Sequence, residues 1–125
     1  MVHVRGLTQK TIFVSVTKIE RDLAKAGISL PLEKYSYGNW LLRTKLRQAN
    51  QCVWLAAVSK AHIVGIWKIN KTYGWQPMQR GMNPAMAAPI NPNRKQCRLV
   101  KLPAEDVKPF LGQYVRLYFP FDFNF

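Results

Sequence analysis

The sequence predicts a single α+β domain over residues 1–125: a small, mainly antiparallel, partly open β-barrel with short flanking helices. Three observations lead there. Two apolar runs, "QCVWLAAV" (51–58) and "HIVGIWKI" (62–69), are too long for exposed strands and too short for a helical bundle, and only "SKA" separates them. Further segments at 11–17, 95–102 and 113–125 alternate or carry β-branched and aromatic residues. A chain of 125 residues, 48% hydrophobic, is long enough for one core and not for two.

"TIFVSVT" (11–17) reads as the first strand. "KIERDLAKAG" (18–27) sets Ile19, Leu23 and Ala26 at helical spacing and ends on Gly27, a C-cap residue; Thr17 with Glu20 makes a capping-box pattern at its start. "LRTKLRQAN" (42–50) reads as a short helix with Arg43 and Arg47 on one face. The two apolar runs then form a hairpin. "KQCRLVKL" (95–102) is a less regular strand, "PAEDVKPFLG" (103–112) a short helix between Pro and Gly, and "QYVRLYFPFDFNF" (113–125) a last strand and tail. Residues 70–94 break the pattern with four prolines, two glycines and three methionines. A loop of that length carrying Tyr73, Trp75, Met78 and Met82 either covers an open end of the sheet or closes over a pocket.

Charge narrows the function. Lys plus Arg number 19 against 6 Asp plus Glu, a formal charge of +13 spread along the chain. Self-repulsion of that size is tolerated when the partner is a polyanion: nucleic acid first, an acidic protein second, an anionic membrane surface third. No apolar run approaches the ~20 residues of a membrane span and no signal peptide is evident, so a cytoplasmic setting without membrane association is expected. Cys52 and Cys97 lie in apolar or alternating segments and read as buried thiols, with no histidines placed to complete a zinc site and no cofactor motif.

Catalysis is not expected. The six acids (Glu20, Asp22, Glu33, Glu105, Asp106 and Asp122) lack the clustering that holds a divalent metal; "EDVK" (105–108) has no upstream acidic partner. His3 sits near the start of the sequence and His62 at the head of a strand, with no second acid–base group in view.

The residues "GNWLLRTKLRQAN", "CVWLAAV", "IVGIWKI", Trp75 and "LPAEDVKPFLGQYVR", in that order between Tyr37 and Val115, resemble small PUA-like domains, the group that includes the PUA, ASCH, EVE and YTH branches. The Pro/Met-rich loop is longer and less polar than that pattern, and the first 34 residues show no match to it. The resemblance implies a nucleic-acid-binding module whose aromatic pocket accepts a base, in some branches a modified and flipped one. On this chain it would use Trp40, Trp75 and Tyr73 as stacking platforms and Asn39, Asn70 and Ser59 on the base edge. Arg43, Lys45, Arg47, Lys68 and Lys71 would meet phosphates as one continuous positive rim. Trp40 serves equally well as a core residue, and Arg43 and Arg47 as a solvated face.

A different class of function is also open. In "YFPFDFNF", Phe119, Phe121, Phe123 and Phe125 share one face of the last strand. That face either packs back on the sheet, which is expected, or docks on an acidic protein partner or a second copy, as in a small inhibitor.

Overall fold

The computed structural model describes residues 1–78 and 93–125. The chain runs β1 (Thr11–Ser15), α1 (Thr17–Lys25), α2 (Leu32–Ser36), β2 (Gly38–Leu41), a 3-10 turn (Arg43–Lys45) and α3 (Leu46–Ala49). It continues β3 (Trp54–Ser59), β4 (His62–Ile69), β5 (Gln76–Pro77), β6 (Arg94–Gln96), β7 (Leu99–Lys101), α4 (Ala104–Val107) and β8 (Phe121–Phe123). The class is α+β. The strands form a five-stranded mixed sheet in the order β7-β4-β3-β1-β8 and a three-stranded sheet in the order β2-β6-β5. No closed barrel forms among the described residues. The predicted strand at 95–102 is divided between the two sheets, because β6 pairs with β2 and β5 while β7 pairs with β4.

The hairpin is where the sequence placed it. β3 and β4 pair antiparallel from Trp54↔Lys68 to Ser59↔His62. β1 lies parallel to β3, the one parallel pairing among the described residues, with Thr11 opposite Trp54 and Ser15 opposite Val58. Both faces of this sheet are covered, which explains the unbroken apolar runs of β1 and β3. Ile12, Val14, Leu55 and Ala57 pack with Leu23 of α1, Tyr35 of α2, Trp40 and Trp75. Phe13, Ala56 and Val58 pack on the other side with Val2, Phe110 and Val115. Gly65 in β4 is required by this packing: a Cβ there would come within 2.7 Å of the Trp67 ring and 2.9 Å of Leu32.

Several local signals resolve differently from expectation. α1 does end in a Schellman motif, with Ile28 N–H donating to the Leu23 carbonyl (3.0 Å) and Gly27 at φ +68. Thr17 does not cap it. Its hydroxyl accepts the Lys60 N–H at 2.9 Å, tying α1 to the hairpin turn, and Glu20 accepts the hydroxyls of Ser59 and Tyr35 instead. The basic segment is not one helix, because Arg43 adopts φ +47 and enters a 3-10 turn before α3 begins. Arg43 and Arg47 therefore do not share a helical face. Of 113–125, only Phe121–Phe123 is strand, antiparallel to β1; Tyr114 makes a single bridge to His62. The tail packs back: Phe123 is buried, with Phe121 and Phe125 packed against the same core and edge-on to it at 5.9 and 5.8 Å.

The β3–β4 turn is a two-residue loop, Lys60-Ala61, with both residues at positive φ (+48 and +65). That geometry suits Asn-Gly and strains Lys and Ala. Replacing the pair (Lys60→Asn with Ala61→Gly) should raise the unfolding free energy by about 1 kcal/mol. An unchanged or lower denaturant midpoint would mean the strain is already relieved by the Thr17 contact.

Candidate nucleic-acid interface

A groove of about 1150 Å³ lies between the two sheets. One wall is β2 with the 3-10 turn, the other is the chain from Leu117 to Phe125, and α1 contributes Lys18, Ile19 and Asp22. The local sequence builds the first wall. Strand β2 carries an irregularity between Gly38 and Trp40, so that Asn39 is an extra residue in the pairing with β6 and takes φ +71. Trp40 then points into the core while Asn39 lines the groove. Two residues further on, Leu42 is buried and Arg43 turns the chain through its own left-handed conformation, placing Arg43 and Lys45 on the groove. Arg94 reaches across from β6 and donates to the Asn39 carbonyl at 2.9 Å.

The opposite lip is aromatic. Tyr118 is 76% exposed and Phe119 70%, and Phe121 stands beside them as part of the same wall. The Arg116 guanidinium lies over the Tyr118 ring at 5.1 Å. Four cations line the groove (Lys18, Arg43, Lys45 and Arg94) against two acids, and one of those, Asp122, is paired with the Met1 amino group at 3.4 Å. The interior therefore carries a positive field beside exposed rings.

The residues expected from sequence divide. Asn39, Trp40, Arg43 and Lys45 line this groove. Trp40 is no stacking platform: it is 5% exposed and its indole N–H donates to the Ser36 carbonyl at 2.9 Å. Trp75 is 6% exposed, sits in the same core cluster, and donates to the Ala49 carbonyl at 3.1 Å. Both rings are buried in one core cluster, so the pocket expected between Trp40, Trp75 and Tyr73 is core. Tyr73 lies under the Arg98 guanidinium at 4.3 Å and its hydroxyl accepts from Gln96 at 2.8 Å, away from the groove. The remainder of the loop expected to close that pocket, 79–92, lies outside the described residues.

The single positive rim is also divided. Lys68 opposes Trp54, which packs on the second core cluster, so Lys68 belongs to the sheet face turned away from the Trp40 side. Lys71 is spent on backbone: its ammonium donates to the carbonyls of Asn50 and Cys52 (3.3 Å to the latter), where α3 ends. Arg47 is exposed on α3 and does not line the groove. Asn70 uses its side chain to accept the Tyr73 N–H, and Ser59 bonds Glu20, so neither is available to a base.

Burial pushes the Cys52 thiol up to about 12, with Lys71 and Lys10 pulling the other way, and burial pushes Cys97 up further. Neither is a thiolate at neutral pH, so neither is a nucleophile. Tyr35 is pushed up to about 12, first by burial and then by its hydrogen bond to Glu20. Among the described residues no group of three or more His, Cys, Asp or Glu could hold a metal ion. No helix among them is long and apolar enough to cross a membrane.

The groove residues that sequence reasoning missed are Lys18, Arg94, Tyr118 and, as an exposed group on the groove wall, Phe119. The Phe-rich alternation had marked the tail as needing cover, but Tyr118 and Phe119 precede β8 and are left outside its packing. No protein-family model, curated protein or solved structure matches the chain, so its functional reading rests on this groove.

Proposed function

We propose that the chain is a non-catalytic nucleic-acid-binding module that takes a single strand in the groove between its two sheets. The observation that carries the reading is the pairing of four side-chain cations with two exposed aromatic rings along one groove. Cations track phosphates, and bases unstacked from a duplex lie on Tyr118 and Phe119. Base–aromatic stacking contributes about 1–3 kcal/mol per base and tolerates any base, because every base has a π-face. The PUA-like resemblance implies the same class of ligand, with the binding surface moved from the expected Trp40–Trp75 pocket to the C-terminal wall.

A salt titration tests it. Binding of a labelled single strand about ten nucleotides long should weaken log-linearly with salt. The slope should lie near −2.8, about 0.7 for each of the four groove cations. Polyglutamate of equal charge should compete poorly, since it brings no bases to stack. Failure of any oligonucleotide to bind at about 50 mM salt, or equal competition by polyglutamate, would instead favour an acidic protein as the ligand.

A further inference from the structure

One residue in the groove is presented in a way that neither charge nor stacking explains. Asn39 is the extra residue of a β-bulge and sits at φ +71, a conformation that costs most residues about 1 kcal/mol and that Asn tolerates best after Gly. Both of its backbone groups are taken: the N–H donates to the Met78 sulfur at 3.1 Å and the carbonyl accepts from Arg94 at 2.9 Å. The backbone is thus held from two strands, while the side chain lines the groove and forms no hydrogen bond among the described residues. Bulges of this kind re-aim one side chain out of the alternation of its strand.

We infer that Asn39 discriminates between bases in the groove, a step that rests on the nucleic-acid reading above. A carboxamide offers a donor beside an acceptor in one plane. Adenine presents the complementary pair on two edges, its 6-amino group beside N7 and again beside N1. Guanine also does so on two edges, whereas cytosine and thymine present such a pair on one edge only. A fixed Asn39 therefore favours adenine over thymine and cytosine, and about tenfold over purine, which lacks the 6-amino donor and presents no such pair, in the range of one bidentate contact. The lysines and arginines around it set affinity for any sequence, and Asn39 sets preference within it.

The test uses the full chain and labelled oligonucleotides of about ten residues, of dA, dT and dC, with a fourth in which purine lacking the 6-amino group replaces adenine. The wild type should bind dA most tightly and the purine strand no better than dT. Asn39→Gly keeps the left-handed backbone and removes the carboxamide, so it should bind all four strands alike with an unchanged salt slope. Asn39→Asp keeps the side-chain shape and should also lose the adenine preference. A variant that retains the wild-type ranking, or a wild type indifferent to the missing amino group, overturns the inference and leaves the groove as a non-selective binder. If the wild type binds none of the strands, the nucleic-acid reading falls with it. The wild-type comparison of dA with purine decides the matter even if neither variant folds.

Discussion

Trp75→Ala should lower the unfolding free energy by about 3–5 kcal/mol, the largest single-residue effect expected in this chain. The ring is 6% exposed and shares a cluster with Trp40, Leu42, Leu55 and Ile69. Its removal opens a cavity in that cluster. It also strips the Ala49 carbonyl of its indole donor at the end of α3, where Lys71 holds the carbonyls of Asn50 and Cys52. Affinity per folded molecule should be unchanged, because Trp75 does not touch the groove. Denaturant unfolding gives the stability and an active-fraction titration gives the affinity. A variant of normal stability that has lost oligonucleotide binding would return Trp75 to the ligand and relocate the site to the β5 side of the molecule.

Reversing three groove charges together (Lys18→Glu, Arg43→Glu and Lys45→Glu) should abolish most binding, with a loss on the order of 100-fold or more at low salt. On the proposed function each position would lose a phosphate contact and gain a repulsion, and these side chains line the walls of one groove. All three are exposed, so the fold should tolerate the change to within about 0.5 kcal/mol per site. Arg94 is left intact because it also holds the Asn39 carbonyl. The matched control reverses Arg47, Lys68 and Lys101, which are exposed and outside the groove. Binding that falls equally in both triple variants would show that net charge, and not the groove, attracts the ligand.

The central hairpin was legible because its information is local: apolar runs of strand length, a short turn between them, and a glycine where Trp67 and Leu32 leave no space for a Cβ. The C-terminal alternation was legible for the same reason, and Phe121, Phe123 and Phe125 do cover one another. Strands β2 and β5 were not. They span four and two residues, too short for periodicity to register, and β2 is interrupted by its own bulge. The basic segment misled for a specific reason. Arg43, Lys45 and Arg47 have the spacing of a helix, but Arg43 in a left-handed conformation splits them, and nothing in the side-chain pattern announces a positive φ at arginine. The tryptophans misled differently. Trp40 and Trp75 look like stacking rings in sequence because an indole suits a base and a core equally well. Their burial depends on sheet β2-β6-β5 folding over the larger sheet, a long-range event. The same long-range packing leaves Tyr118 and Phe119, which carry no distinguishing signal, in the open.

The order of strands also sets the order in which the molecule can be completed. β1 finds its inner neighbour β3 about 40 residues later, but its outer neighbour is β8, with Ile12 opposite Phe123. During synthesis the outer edge of "TIFVS" therefore stays unpaired until some 110 residues more have emerged, on the order of ten seconds or longer at ordinary elongation rates. Throughout that interval the nascent chain displays a β-branched, uncharged edge of the kind that recruits strands from other chains. The formal charge of +13 then acts during that interval as repulsion that keeps unfinished copies apart.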